Sequence, residues 1–379
     1  MPDKKTLVFS FDGTGNQPGD AKAFKKDESI SNVLKLHVLM GGGIDEYGTD
    51  TQTPEGKQQQ THYYSGIGTG EKGISIPLLG SLISLVDETI APEFGDAERI
   101  LAEAEQDFKD AGYSKGDTLV VFGFSRGAAL ARRFASRILA SHTQCEVSFL
   151  GVFDTVAAMS GIHSEGGRIS SDVVFEHGTL NERINRAVHI VSLDEDRVSF
   201  TPTLINKDAD HADRILEVWF PGVHSDIGGS YWFDGLSDVT LQFMIDECKK
   251  ALKRRILIHR DNASIHKLFQ KQGSALSVLD VDDIAIHPLP HGVMHEHSGV
   301  WDMVPRKPRQ VYVSDNDQPS EQEDDIPILH HSVKRRFAEV PSYRPPALRG
   351  LRFKLLLQGG RKSKAIQGIS GLRTLTLPT

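Results

Sequence analysis

The five-residue segment Gly123-Phe124-Ser125-Arg126-Gly127 constrains the possible folds more than any other part of this sequence. An apolar run from Thr118 to Phe122 precedes it, and a helix-like run from Ala128 to Ala140 follows it. A Gly-x-Ser-x-Gly turn between a strand and a helix is the pattern of a nucleophile elbow, which presents a serine hydroxyl at the edge of a parallel sheet. Glycines on both sides allow the close backbone packing that a strained turn needs. The alternative is an ordinary strand-to-helix turn that uses its glycines for backbone reasons only.

Alternating strand and helix patterns on both sides of this segment predict an α/β fold with a mostly parallel sheet flanked by helices. The other expected strands are Thr6–Phe11, His62–Tyr64, Val147–Phe153, Arg186–Leu193 and Ile215–Phe220. The expected helices are Glu28–Met40, Ala97–Ala111 and Thr240–Leu252. Because polar residues follow most of the strands, the binding groups should meet at the C-terminal edge of the sheet.

The chain length suits one large domain or two ordinary ones, and we interpret residues 1–350 as one α/β-hydrolase-like catalytic domain. Within it, residues 237–350 are expected to form a cap or peripheral additions over the sheet. Residues 351–379 are expected to form a basic tail, since the stretch from Arg349 to Arg373 contains no Asp or Glu.

The composition excludes several classes of protein. A net charge of −8 and a pI near 6.1 argue against nucleic acid as the main partner. Two cysteines, Cys145 and Cys248, do not make a disulfide framework. The N-terminal residues Met1-Pro-Asp-Lys-Lys lead directly into a strand and do not resemble a signal peptide, so we expect a protein that is soluble in the cytoplasm when made.

The longest apolar stretch, Ile74 to Val86, is interrupted by Pro77 and Gly80 and is too short to span a bilayer. A glycine-rich loop from Gly66 to Gly70 precedes it. The stretch is therefore either a buried core segment or a lid that exposes an apolar face to lipid at a membrane surface. The basic C-terminal stretch would favour such peripheral contact with an anionic surface.

A serine nucleophile needs a base, and the base needs an acid that orients it. His224 follows a strong strand and lies in an unusual Gly-x-His-Ser-Asp-x-Gly-Gly turn, which makes it the preferred base; alternatively it only stabilises that turn. Asp154, at the end of the strand after the elbow helix, is the preferred acid. Asp194, Asp196 and Asp226 remain alternatives, although the first two lie close to Arg197 in a segment that could instead form a structural ion pair.

The oxyanion hole should be formed by backbone amides on two sides of the elbow. One side is the amide of Arg126, at the N-terminus of the elbow helix. The other is the turn after the first strand, where Gly13 and Thr14 occupy the position from which hydrolases of this type complete the oxyanion hole. Asp12 is expected to bond the amides of its own turn.

Histidines are frequent between Asp280 and Val304 (His287, His291, His295 and His297), and His331 is a further candidate for the site. The spacing of this cluster is irregular, and neither Cys residues nor a His-Glu-x-x-His helix accompanies it. We therefore predict no metal site. No cofactor is required for the reaction expected of the serine.

Taken together, these segments resemble one family, the α/β-hydrolase domain of phospholipase effectors in bacterial type VI secretion systems. The resemblance extends from about Leu7 to about Pro346. It is carried by Phe11-Asp12-Gly13-Thr14-x-Asn16, Tyr64-x-Gly66-x-Gly68-Thr69, the elbow with Arg132, Leu150-Gly151-Val152-Phe153-Asp154-Thr155-Val156, Asp194-Glu195-x-Arg197, Val218-Trp219-Phe220-Pro221-Gly222-Val223-His224-Ser225-Asp226-Ile227-Gly228-Gly229 and, more weakly, His331-Ser332-Val333-x-x-Arg336.

The resemblance implies a catalytic triad of Ser125, Asp154 and His224 and a phospholipid or other lipid ester as substrate. It also implies a secretion apparatus and an immunity protein as partners, with export by type VI secretion into the periplasm of a target cell. Two other functions remain open. One is a hydrolase of small esters or peptides, and the other is an inactive hydrolase-like module that binds a protein partner.

Overall fold

The computed structural model describes residues 4–22, 27–44, 50–51, 59–69, 90–157, 174–175, 178–208, 211–272, 279–296 and 304–375. The apolar stretch from Ile74 to Val86 lies outside this part of the chain, so its role as core or lid stays a prediction. His297 and most of the polar stretch between Glu46 and Gln60 also lie outside it.

A mostly parallel sheet organises the described part of the chain. The strands are β1 (Thr6–Phe11), β2 (Glu28–Ser31), β3 (Gly43–Ile44), β4 (Asp50–Thr51), β5 (Gln59–Tyr64), β6 (Thr118–Phe124), β7 (Phe149–Phe153), β8 (Ala187–Ser192), β9 (Ile215–Phe220), β10 (Gly229–Tyr231), β11 (Ser314–Asp315), β12 (Gln318–Pro319), β13 (Ile328–His330), β14 (Arg352–Leu356) and β15 (Ile366–Gln367). Nine of the described strands form the main sheet, in the order β15-β14-β13-β9-β8-β7-β6-β1-β5. Its neighbours pair in parallel except β14 and β15, and three short antiparallel pairs lie outside it.

Helices cover both faces of this sheet. They are α1 (Asn32–Leu39), α2 (Ile90–Ala111), α3 (Ser125–Ser141), α4 (His224–Gly228), α5 (Gly235–Leu252), α6 (Asn262–Gln272), α7 (Val281–Ile284), α8 (His331–Glu339) and α9 (Gly368–Thr374). Along β1, Phe9 and Phe11 belong to a core shared with α2 and α3, whereas Val8 belongs to a core shared with α1 and α5. Because both faces are covered, the central strands are buried along their length and mostly apolar.

The parallel register brings several strand ends to one edge of the sheet. Phe11 at the end of β1 lies opposite Gly123 in β6, and Phe124 at the end of β6 lies opposite Phe153 at the end of β7. The residues that directly follow β1, β6 and β7 therefore meet. This is the C-terminal edge at which open α/β sheets bind their ligands.

The start of α1 differs from the sequence-based expectation of a helix over Glu28–Met40. Residues 28–31 form β2, which pairs with β10. The helix begins only after Ser31, because the Ser31 hydroxyl accepts a hydrogen bond from the Leu34 amide and caps the helix.

The C-terminal region also differs from expectation. The residues after 350 are not a detached basic tail, since β14 joins the sheet beside β13 and buries Phe353 and Leu355. The many Lys and Arg residues of this segment hide its alternation of apolar side chains. Part of the 237–350 region likewise belongs to the sheet itself, as β13, rather than to additions over it. None of the described helices is both long and apolar enough to cross a membrane.

Candidate active site

Ser125 occupies the turn between β6 and α3. Its φ of 57° lies in the left-handed region that residues other than glycine rarely adopt, and its side chain is largely buried. A Cβ on Gly127 would lie 2.1 Å from the carbonyl oxygen of Asp12, and one on Gly123 would lie 2.5 Å from the carbonyl oxygen of Gly127. The contacts around the turn therefore require glycine at both positions.

Asp154 and His224 form a buried hydrogen-bonded pair. Asp154 directly follows β7 with a φ of 40°, and His224 is the first residue of α4. The Asp154 Oδ2 accepts a hydrogen bond from His224 Nδ1 at 2.6 Å. This bond assigns the proton of the neutral ring to Nδ1 and leaves Nε2 as the acceptor.

The His224 ring packs against the nucleophile turn. The ring centroid of Phe124 lies 4.7 Å from that of His224. Phe124 itself fills a narrow space, since a Cβ on Gly13 would lie 2.7 Å from its ring and one on Gly228 would lie 2.0 Å from it. Within the described residues no hydrogen bond joins Ser125 to His224. Such catalytic contacts often tighten only when substrate binds.

Opposing effects set the protonation of the pair. Burial lowers the pKa of His224, and the Asp154 carboxylate only partly offsets this, so the pKa lies below its ordinary value. Burial by itself would raise the pKa of Asp154, but the charges of Arg309 and His224 outweigh it and hold the pKa well below its usual range. At neutral pH Asp154 is therefore ionised and His224 is neutral. In these states His224 can accept a proton from a serine.

The backbone amides expected to form the oxyanion hole differ in their availability. The Gly13 amide donates a hydrogen bond to the Asp12 carboxylate at 2.7 Å. This corrects the expectation that the Gly13 amide helps to form the oxyanion hole, because the amide already donates a hydrogen bond within its own turn. Thr14 and Arg126 remain the candidate donors. The Arg126 amide lies in the first turn of α3.

The alternative acids Asp194 and Asp196 face other partners. Asp194 accepts hydrogen bonds from the Gly222 amide at 2.7 Å and the Tyr343 hydroxyl at 2.8 Å, and burial raises its pKa to about 6. Asp196 lies 3.8 Å from Arg306 at the surface. Within the described residues, neither carboxylate forms a hydrogen bond or an ion pair with the ring of His224.

The alternative acid Asp226 is a structural partner of another histidine. Its carboxylate accepts a hydrogen bond from the Val223 amide at 3.0 Å, which caps α4, and it bonds His295 Nδ1 at 2.5 Å. The other nitrogen of His295 bonds Asp27 at 2.7 Å. These two carboxylates outweigh burial and raise the pKa of His295. Asp226 therefore lies on the helix that carries His224 but holds the 285–296 segment in place.

Two of the remaining histidine candidates, His291 and His331, are engaged in an ion pair or in ring packing. His291 lies 2.5 Å from Glu339. His331 begins α8 with its ring centroid 4.1 Å from that of His330, and His330 stacks on Phe220. Within the described residues no group of three or more His, Cys, Asp or Glu side chains could hold a metal ion.

Arg309 lies in the site, although the sequence gives little sign of it. Its guanidinium donates to both oxygens of Asp154, at 2.6 and 2.9 Å. In the sequence it belongs to Pro305-Arg306-Lys307-Pro308-Arg309, which is typical of a solvated basic loop. A contact across 155 residues leaves no periodic signal in the sequence.

Two further buried residues support the pair. Glu195 accepts a hydrogen bond from the His224 amide at 3.1 Å and forms an ion pair with Arg197 at 2.7 Å. The ion pair suspected from the sequence therefore exists, with Glu195 as its acid. His189 accepts the Thr155 amide hydrogen bond at 3.1 Å and so holds the turn that carries Asp154. A histidine inside an apolar strand was a signal that could have identified it.

A serine on a strained elbow and a buried histidine–aspartate pair, together at the C-terminal edge of a mostly parallel sheet, define an α/β-hydrolase fold. A family model described as the phospholipase effector Tle1-like catalytic domain of type VI secretion systems matches residues 5–141 and 135–247. Because the match spans more than half of the 379 residues, the chain belongs to this family.

Three solved structures are similar to this chain in part. An uncharacterised protein from Pseudomonas aeruginosa is 21% identical with a TM-score of 0.44, and the match covers 68% of this chain and 47% of that one. The Tle1 effector bound to the VgrG spike of the type VI secretion system is 25% identical with a TM-score of 0.35, covering 61% and 52%. Thermogutta terrifontis esterase 2 in its apo form is 13% identical with a TM-score of 0.33, covering 66% and 84%. This chain therefore spans about half the length of the first two proteins, and a comparison with curated proteins finds no match.

Proposed function

We propose that this chain is a serine hydrolase that cleaves carboxylic esters of lipids, with Ser125 as nucleophile, His224 as base and Asp154 as the orienting acid. The proposal rests on the 2.6 Å bond between Asp154 and His224 beside the strained turn that carries Ser125. A buried carboxylate on the far nitrogen of a histidine fixes the tautomer and stabilises the imidazolium that forms during the reaction.

The reaction proceeds in two halves. His224 Nε2 takes the proton of Ser125 as the serine oxygen attacks the ester carbonyl carbon. The amides of Thr14 and Arg126 donate hydrogen bonds to the oxyanion of the tetrahedral intermediate. The imidazolium then gives its proton to the leaving alcohol, and an acyl-enzyme remains. Water attacks this acyl-enzyme with His224 again as base, which releases the fatty acid and restores Ser125.

Family membership supports a phospholipid as the lipid ester. It also supports a type VI secretion apparatus as a partner. We extend the proposal to an immunity protein as a second partner, and to synthesis in the cytoplasm with delivery into the periplasm of a target cell. Contact with lipid would take place at a membrane surface, without a cofactor, because the three side chains provide nucleophile, base and charge stabilisation. We further propose that the described residues make up one catalytic domain, since the sheet extends from β5 to the C-terminal strands β14 and β15.

An activity panel tests this proposal. The wild-type protein and Ser125→Ala are assayed on phosphatidylethanolamine–phosphatidylglycerol vesicles, a soluble p-nitrophenyl butyrate and a chromogenic peptide, and both are treated with a fluorophosphonate probe. We expect fatty acid release from vesicles and probe labelling for the wild type only. Activity confined to the soluble ester or the peptide would refute the lipid substrate. A folded protein that neither hydrolyses an ester nor reacts with the probe would be a binding module instead.

A further inference from the structure

The Arg309 side chain is buried beside the Asp154–His224 pair. It is 4% exposed. Besides both oxygens of Asp154, its guanidinium donates to the carbonyl oxygens of Ser192, at 2.9 Å, and Phe200, at 2.6 Å. A planar guanidinium with four donor contacts has a single orientation, so it also fixes the orientation of the carboxylate.

The same carboxylate oxygen serves the arginine and the base. Asp154 Oδ2 accepts from His224 Nδ1 at 2.6 Å and from Arg309 Nη2 at 2.9 Å. The two nitrogens are therefore no more than about 5.5 Å apart. At an effective dielectric constant of about 20, a full positive charge at this distance changes the proton affinity of a neighbouring group by about two pH units.

Within the described residues, three carboxylates around His224 each have a cationic or histidine partner. On one side, Asp154 is paired with Arg309. On the other, Glu195 bonds the His224 amide and is paired with Arg197. Asp226, on the same short helix as His224, is paired with His295. Each of these three carboxylates therefore has its own cationic or histidine partner, so none of the three acts on the imidazole with its full charge.

We propose that Arg309 is a positioning residue that fixes the Asp154 carboxylate and offsets its charge, so that His224 binds a proton less tightly than it would beside an uncompensated aspartate. This inference rests on the catalytic roles proposed for Asp154 and His224. A histidine facing an uncompensated buried aspartate would bind its proton more tightly and be charged over a wider pH range. Burial lowers the pKa of His224, and the charge of Arg197 also lowers it.

Titration of His224 by NMR in the full-length protein tests this directly and needs no substrate. The imidazole signals of ¹⁵N-histidine-labelled protein are followed from pH 4 to 9, and the His224 signals are identified by their loss in His224→Gln. In Arg309→Gln, which removes the charge but keeps a donor, we expect the pKa of His224 to rise by about one to two units. In Arg309→Lys, which keeps the charge, it should stay within about half a unit of the wild-type value.

Activity provides a second measurement. The acidic limb of kcat/KM against pH should move upward by the same amount in Arg309→Gln, whereas Arg309→Lys should lower kcat without moving the limb. Arg336→Met is the matched control, because Arg336 is equally buried and donates to the carbonyl oxygens of Pro290 and Gly292. It should lower the melting temperature and leave the titration of His224 unchanged.

An unshifted His224 pKa in folded Arg309→Gln would overturn the inference, even if the melting temperature falls, since the arginine would then be purely structural. If Arg309→Gln does not fold, Arg309→Met, of similar length and without charge, is titrated in its place and judged by the same criterion. Because the NMR signal does not depend on turnover, a protein without esterase activity but with the expected shift would refute the proposed function and leave the electrostatic role of Arg309 standing.

Discussion

Asp154→Asn exchanges one carboxylate oxygen for an NH₂ group at almost constant size. In the wild-type protein Oδ1 accepts from the Ser192 amide at 2.9 Å and from Arg309 at 2.6 Å. Oδ2 accepts from His224 at 2.6 Å and again from Arg309 at 2.9 Å. Whichever way the asparagine amide turns, its NH₂ group faces two groups that donate to the carboxylate in the wild-type protein, so both of those hydrogen bonds are lost.

Both orientations of the amide impair catalysis. If the NH₂ group faces His224, Nδ1 must accept and the ring proton moves to Nε2, which then cannot take the proton of Ser125. If the NH₂ group faces Ser192, the tautomer is kept but the imidazolium has no carboxylate beside it. We expect kcat to fall by a factor of about 10³ to 10⁴, or about 4 to 5.5 kcal/mol in activation free energy. Because Arg309 becomes a buried charge without a counter-ion, the free energy of unfolding should fall by about 3 to 5 kcal/mol.

The assay is kcat for a soluble p-nitrophenyl ester, with urea unfolding of the same samples to separate activity from stability. Asp194→Asn is the matched control, because Asp194 is a buried carboxylate bonded to the Gly222 amide and the Tyr343 hydroxyl. It should keep kcat within about tenfold of the wild type. The reasoning fails if Asp154→Asn stays within tenfold while Asp194→Asn or Asp226→Asn is inactive.

Three further predictions concern the elbow, a buried ion pair and metal ions. Gly127→Ala should abolish both activity and soluble expression, because its Cβ would lie 2.1 Å from a backbone oxygen. Gly95→Ala in α2 is the control: a Cβ there has nothing within 4 Å, so the free energy of unfolding should rise by about 0.5 to 1 kcal/mol in urea titrations. Lys35→Met should lower the free energy of unfolding by about 3 to 5 kcal/mol, because buried Lys35 pairs with Asp234 at 2.5 Å and Asp238 at 3.1 Å. The double variant Lys35→Met/Asp238→Leu should recover part of this loss, and fully additive effects of the two substitutions would argue against the pairing. EDTA should leave ester hydrolysis unchanged, and a loss restored by calcium or zinc would show that the reaction needs a metal.

Much of the central sheet could be predicted from local patterns. The strand over Ile215–Phe220 agrees with β9, and the pattern of strand, Gly-x-Ser-x-Gly and helix agrees with β6 and α3. These elements are buried on both faces or amphipathic, so that packing and local propensity favour the same structure. The proximity of Asp154 and His224 also followed, because parallel strands place their C-terminal ends at one edge.

The missed features depend on contacts between distant parts of the chain. Arg309 is recognisable only when its loop is placed over Asp154. The sequence did not indicate β14, because the strand is short and lies near the edge of the sheet among charged residues. Its apolar residues Phe353 and Leu355 are recognised as core residues only when the strand is paired with β13. The bond from the Gly13 amide to Asp12 confirms the expectation that Asp12 bonds the amides of its own turn, and it conflicts with the separate expectation that this amide helps to form the oxyanion hole.

The tight enclosure of Phe124 has a consequence for how this site can change by mutation. Its ring touches His224 and leaves no room for a Cβ at Gly13 or Gly228, so four positions in the turn after β1, at the end of β6 and on α4 share one volume. Substitutions at these positions are therefore expected to be epistatic: alanine at position 13 or 228 would clash with phenylalanine at 124, and a smaller residue at 124 would remove that clash. Variant libraries that change one position at a time will find these glycines immutable, whereas libraries that vary position 124 with them can reach a differently shaped active site.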